Sequence, residues 1–136
     1  MGDDTHGHVD DIARFVKYNK IFLAYENNKK DENFKNLDEN LKILKKIKIG
    51  SSKIKITKIP MPRPIYINKF RVPASYLNFY IFNKFVLLPT FNDPKDKKVI
   101  EIFKKEFNNR KIVPIDCSEL IWGFGAIHCL TQQEPK

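Results

Sequence analysis

The chain has 136 residues, 42% hydrophobic and 30% charged, and a formal net charge of +9 from 25 basic against 16 acidic side chains. That length suits one folded domain with a real core, and no run approaches the roughly 20 apolar residues of a membrane span. The start, Met1-Gly2-Asp3-Asp4, lacks the basic and apolar regions of a secretory signal, so a cytoplasmic protein that does not meet the membrane is expected.

The positive charge alone would suggest a nucleic-acid partner. The lysines, however, are scattered through the predicted helices and turns among abundant Asn, Ile and Phe. This is the pattern of a compositionally biased, solvated surface, and it disfavours nucleic acid. The two cysteines, Cys117 and Cys129, make no disulfide scaffold. They also lack the short paired spacing of a structural zinc site.

In chain order, Gly7-His8-Val9-Asp10 comes first, leading into a strand near Ile12. In an extended segment His8 and Asp10 lie on one face, which would aim a histidine and a carboxylate at one substrate. The plain alternative is a surface His-Asp pair, and His6 has the same parity. Next, Phe15-Val16-Lys17-Tyr18-Asn19-Lys20-Ile21-Phe22-Leu23-Ala24 reads as strand, Asn-Lys turn, strand. A helix is predicted over about 32–48, with Phe34, Leu37, Leu41, Leu44 and Ile47 on one face. A strand carrying Ile54, Ile56 and Ile59 follows. The alternating prolines of Pro60-Met61-Pro62-Arg63-Pro64 predict a rigid, extended connector, with a proline-rich ligand for another domain as the lesser reading.

The hairpin pattern then returns 64 positions later in Phe79-Tyr80-Ile81-Phe82-Asn83-Lys84-Phe85-Val86-Leu87-Leu88. Asp93 before Pro94 predicts a helix N-cap with proline in the first turn. The helix runs over about 94–107 with Val99, Ile102, Phe103 and Phe107 on one face, and a strand follows at 112–115. The chain thus reads as an α/β protein of two β-β-α-β units, at about 11–59 and 76–116, and a closing segment at 117–136. Each unit has one helix for its small sheet, so neighbouring units are expected to complete each other's core.

In the closing segment Cys117 opens a short predicted helix over 118–122, where a helix N-terminus can lower a thiol pKa. Cys129 follows the glycine-bearing turn Gly123-Phe124-Gly125-Ala126, which permits close backbone approach to a ligand. A thiolate nucleophile needs a base that meets it in space only. Cys129 is therefore the candidate nucleophile and His8 the candidate acid and base, with Cys117 the rival thiol. An inert buried cysteine is the plain alternative. His128 is expected to point away from Cys129 if this stretch is extended.

At these residues the chain resembles the agmatine deiminase family, also called the bacterial (Porphyromonas-type) peptidylarginine deiminases, of the pentein superfamily. The resemblance rests on Gly2-Asp3-Asp4-Thr5, Gly7-His8-Val9-Asp10, Ala13-Arg14-Phe15, Leu87-Leu88-Pro89-Thr90-Phe91, Asn92-Asp93-Pro94 and Val113-Pro114-Ile115-Asp116-Cys117. It closes with Gly125 and Ile127-His128-Cys129-Leu130-Thr131-Gln132-Gln133. It spans essentially the whole chain and is weakest in the lysine-rich middle.

The resemblance implies a five-bladed α/β propeller of which this chain would hold about two blades. It implies hydrolysis of a guanidinium group to a ureido group and ammonia, on a route to putrescine where the substrate is agmatine. Cys129 would attack the guanidinium carbon, His8 would serve as acid and base, and Asp10, Asp4 and Gly125 would contact the substrate. No metal or organic cofactor is implied.

Three departures stand out. A family member would be more than twice this long, and its first half supplies a guanidinium-binding aspartate with no counterpart here. His6 replaces a commonly acidic residue, and Ala126 replaces a polar one. The expectation is a truncated C-terminal part that is inactive alone, seeking the missing N-terminal half or self-associating. A non-catalytic remnant or complementing subunit is the second reading, and a basic nucleic-acid-binding module the third.

Overall fold

The computed structural model describes residues 7–134. The elements in chain order are α1 (Val9–Ile12), β1 (Ala13–Lys17), β2 (Lys20–Tyr25), α2 (Phe34–Leu44), β3 (Lys48–Ile49), β4 (Ser52–Lys53), β5 (Lys55–Pro60), β6 (Tyr66–Ile67) and β7 (Phe70–Arg71). Then come β8 (Tyr80–Phe82), β9 (Phe85–Thr90), α3 (Asp96–Glu106) and β10 (Lys111–Asp116), with 3₁₀ turns at Leu120–Gly123 and His128–Leu130. No helix among the described residues is long and apolar enough to cross a membrane.

The repeat read in the sequence is a structural repeat. β1 pairs antiparallel with β2, and α2 carries the chain to β5, parallel to β2. In the second unit β8 pairs antiparallel with β9, and α3 leads to β10, parallel to β9. Two three-stranded sheets result, in order β1-β2-β5 and β10-β9-β8. The architecture is mixed α/β with small sheets.

The two helices begin and end for different reasons than periodicity alone supplies. Before α3, Asp93 Oδ1 accepts the Lys95 amide at 2.8 Å and Asp96 Oδ2 accepts the Asp93 amide at 3.1 Å. This reciprocal exchange satisfies helix-end donors on the Pro94 turn. α2 stops at Leu44, short of the expected residue 48. The chain tightens there, with Lys46 and Ile47 amides bonding three residues back to Ile43 and Leu44. It then reverses through Gly50 at φ +59° to pair β3 with β4. Ile47, expected on the apolar face, is left exposed in consequence.

β2 is buried on both faces and joins the units. Ile21 and Leu23 meet Leu41 of α2, whereas Phe22 and Ala24 belong to the larger core shared with the second unit. Phe22 lies edge-on to Phe103 of α3 at 5.0 Å and to Phe79 at 6.4 Å, and Phe79 meets Phe103 at 5.0 Å. Such edge-to-face clusters add to the area they bury. Beside the rings, Lys17 and Lys20 of the first unit both pair with the buried carboxylate of Glu106 on α3. Neither sheet completes its core alone.

The Pro60–Pro64 connector carries no regular structure from residue 61 onward. It is pinned to the turn before α3: Asp93 Oδ2 accepts from the Arg63 amide at 2.7 Å, and Lys95 Nζ donates to the Met61 carbonyl at 2.7 Å. Beyond it, Ser75 Oγ donates to the Asp11 carbonyl at 2.7 Å and accepts the Leu77 amide at 3.1 Å. The segment leading to β8 is thereby tied to α1.

Because Phe103 sits fully buried among three rings, Phe103→Ala should cost about 3–5 kcal/mol, from lost transfer energy plus an unfilled cavity. Tyr18→Ala, at a position 80% exposed, should stay within about 0.5 kcal/mol. Urea denaturation measures both. Equal effects would contradict a core shared by the two units.

Candidate active site

Two chain segments more than a hundred residues apart meet in space. One is α1, a single helical turn rather than the extended segment expected from the sequence; the Asp11 amide bonds the His8 carbonyl at 3.1 Å and closes it. Period-two alternation therefore does not apply to His8 and Asp10. The other is the His128–Leu130 turn, held by the Thr131 amide and hydroxyl, which both donate to the His128 carbonyl at 3.1 and 2.9 Å.

Cys129 is seated by the glycine before it. A Cβ placed on Gly125 would lie 2.7 Å from Cys129 Cβ and 3.1 Å from its Sγ. The absent side chain of Gly125 is the space the thiol occupies. Just upstream, Phe124 takes a left-handed conformation, φ 60°, to end the Leu120–Gly123 turn and bring Gly125 under the cysteine.

The side chain between the two segments is Asn78, fully buried. Its Oδ1 accepts the amides of Ala126, His128 and Cys129 at 3.2, 2.9 and 3.3 Å. Its Nδ2 faces Asp10 Oδ2 at 3.2 Å, Asp11 Oδ1 at 3.0 Å and Cys129 Sγ at 3.0 Å. Arg14 secures the flanking backbone, its Nη1 donating to the carbonyls of Leu77 and Phe79 at 3.1 and 3.0 Å. Its guanidinium lies 4.6 Å from the Phe79 ring centre.

Of the sequence candidates, Asp10 and Cys129 come together, with Asp10 Oδ2 3.6 Å from Sγ. His8 is exposed and makes no side-chain hydrogen bond with another described residue. The histidine that reaches Asp10 is His128, its Nδ1 2.7 Å from Oδ2. It was expected to point away, but 127–130 turns as 3₁₀ instead of extending, so His128 and Cys129 share a side. Asp4 and His6 lie outside the described residues. Ala126 is buried and gives its amide to Asn78. Asn78 escaped the sequence reading, and His128 was read there only as pointing away from Cys129. The available signal for Asn78 was a lone carboxamide inside the aromatic run Tyr76-Leu77-Asn78-Phe79-Tyr80.

Electrostatics separates the two thiols. Burial pushes the Cys117 thiol up to about 11, reinforced by the charge of Asp116, and that side chain is inaccessible. Cys129 is exposed. Partial desolvation raises its pKa, the Asn78 N–H opposes the rise, and the negative charges of Asp10 and Asp11 add to it. For Asp10, desolvation is outweighed by the hydrogen bond and charge of His128 and by the Cys129 contact, so its carboxyl stays below the ordinary range. The site is therefore an accessible thiol whose ionisation is opposed by partial burial and by the neighbouring carboxylates.

Comparison with known proteins identifies the family of the chain. The model of the Porphyromonas-type peptidyl-arginine deiminase family matches residues 1–135. A Legionella pneumophila relative is 36% identical over 138 residues, covering 100% of this chain and 40% of that protein. The agmatine deiminase of Pseudomonas syringae pv. tomato is 32% identical over 154 residues, covering 99% of this chain and 42% of its own length. A crystal structure from Porphyromonas gingivalis superposes with a TM-score of 0.95 at 33% identity, over 99% of this chain and 40% of that one. The chain thus spans about two fifths of the length of the relatives it matches, and it belongs to the Porphyromonas-type peptidyl-arginine deiminase family.

Iodoacetamide on the folded protein should label Cys129 and spare Cys117, with both labelled in denaturant. Asp10→Asn removes a negative charge 3.6 Å from Sγ, so it should lower the thiol pKa and speed Cys129 labelling several-fold near pH 7. Peptide mass spectrometry reads both sites. Slower labelling of the variant would contradict the electrostatic account.

Proposed function

We propose that this chain carries the nucleophile side of a guanidine deiminase site, acting on agmatine or an arginine-like guanidinium. The observation that supports this most is the accessible Cys129 thiol set against Asp10 within a family of guanidine deiminases. A guanidinium is planar, cationic and a poor electrophile. A carboxylate forking onto its N–H groups fixes its plane and brings its carbon to the sulfur.

The same cation resolves the thiol's protonation. Burial, with the negative charges of Asp10 and Asp11 added to it, raises the Cys129 pKa and favours the thiol form. A bound guanidinium offsets both carboxylates and favours the thiolate. Sγ then forms a bond to the guanidinium carbon. A C–N bond breaks, ammonia leaves with a proton from a general acid, and a thiouronium remains on Cys129. Water, losing a proton to the same group acting as base, adds to that carbon. The C–S bond breaks as the remaining proton of that water passes to solvent, giving the ureido product and free thiolate.

The family resemblance gives the acid and base role to His8. Its exposure leaves it free to approach a substrate over Cys129. The 2.7 Å contact between His128 and Asp10 supports a second reading, in which His128 moves the proton. Gly125 acts by making room for the thiol, and Asp4 is retained as a substrate contact from the resemblance. The remaining walls of the site are proposed to come from the part of the family fold that this chain does not span.

Ammonia release from agmatine tests the proposal, using the chain alone and the chain joined to the unmatched three fifths of the Pseudomonas syringae relative. Release is expected to vanish in Cys129→Ala and to fall by roughly 10²–10⁴-fold in Asp10→Ala. Loss of similar size in His8→Ala with a mild effect of His128→Ala would support His8 as the acid and base; the reverse would assign His128. Release that is independent of Cys129, or none from either form, would sink the proposal.

A further inference from the structure

We propose that Asn78 is a positioning residue for the thiol: one carboxamide both shapes the turn that presents Cys129 and supplies the proton donor that holds its sulfur against Asp10 and Asp11. The inference rests on Cys129 being the reactive group.

The orientation of the carboxamide is dictated by its surroundings. Three backbone amides, of Ala126, His128 and Cys129, converge on one end, and amides only donate; that end must be the oxygen. The His128 amide also lies 3.0 Å from the Asn78 carbonyl, so side chain and backbone of one residue grip the same turn. The other end is therefore NH₂, facing two carboxylate oxygens and Sγ at 3.0–3.2 Å. It has two hydrogens for three acceptors. With a neutral thiol, the carboxylates are the better acceptors. Once the sulfur ionises, it competes as a charged acceptor, and hydrogen bonds to charged groups are the stronger kind.

Among the described residues, the charged and titratable groups around Sγ are Asp10 and Asp11 of α1, Arg14 of β1, and His128 of its own turn. Arg14 bonds to the backbone on either side of Asn78 and does not bond to the sulfur. Among the hydrogen bonds to Cys129 Sγ, the one from Asn78 is the neutral N–H donor, and the contact with Asp10 opposes ionisation. Full burial leaves the carboxamide no water with which to exchange these bonds.

Asn78→Leu keeps about the same size, adds no charge, and removes the N–H donor together with the accepting oxygen. In the folded variant the Cys129 iodoacetamide profile should move up by about one pH unit, making labelling at pH 8 about tenfold slower. A purely structural role predicts the opposite sign, because a loosened turn releases the thiol from desolvation and speeds labelling. An unmoved or accelerated profile in a variant with native circular dichroism overturns the proposal.

A second measurement needs no substitution, should the variant fail to fold. In ¹⁵N-labelled native protein the Asn78 side-chain amide resonances should titrate with the midpoint of Cys129 labelling and shift on its alkylation. Resonances that stay flat through that midpoint overturn the proposal. If the thiol behaves as stated and ammonia is never released, the deiminase reading fails and this one stands; an unmoved profile with ammonia release sinks this one alone.

Discussion

The Asn78 carboxamide is the joint on which the site depends. The thiol and the carboxylate that faces it come from opposite ends of the described chain, and neither end is stable as a conformation by itself. α1 is one helical turn, and the Cys129 turn is three residues of 3₁₀ helix. Isolated turns of that length do not persist in water. Each is fixed by bonding to the buried residue between them, while Arg14 and Ser75 anchor that residue's own backbone segment to β1 and α1. The rest of the fold supplies rigidity for this joint. The shared aromatic core locks the two β-β-α-β units together directly behind Phe79.

The second constraint is charge. A cysteine beside two carboxylates is a poor nucleophile at rest, since every negative charge near the sulfur favours the thiol. In the proposed reaction a bound guanidinium offsets those charges and favours the thiolate. Placement separates the two thiols: burial pushes Cys117 up to about 11 and makes it unreachable, whereas Cys129 is exposed.

Much of this was legible in the residues. The hairpin repeat and the two amphipathic helices follow from side-chain periodicity, and periodicity survives into the structure because it reflects which face is buried. The Asp93-Pro94 start of α3 was readable for a similar reason, since capping is local chemistry. The early end of α2 was less so. Leu44 to Ile47 continues the apolar spacing, but a left-handed glycine and a short hairpin override it. The site was half legible. Cys129 and Asp10 stood out by residue type and by motif. Their geometry did not, because α1 turns where alternation assumed extension, and His128 came round to Asp10 for the same reason at the other end. Asn78 left one faint local signal, a lone carboxamide in an aromatic run, and its role was not legible because its six side-chain hydrogen bonds run to segments 48 to 68 residues away.

The account turns on one coupling: a guanidinium bound at Asp10 converts Cys129 from thiol to thiolate. The direct measurement is the Cys129 pKa, followed through its ¹³Cβ chemical shift, without agmatine and at saturating agmatine. A clear fall on addition is the predicted result. A pKa that stays raised with agmatine present would contradict the account.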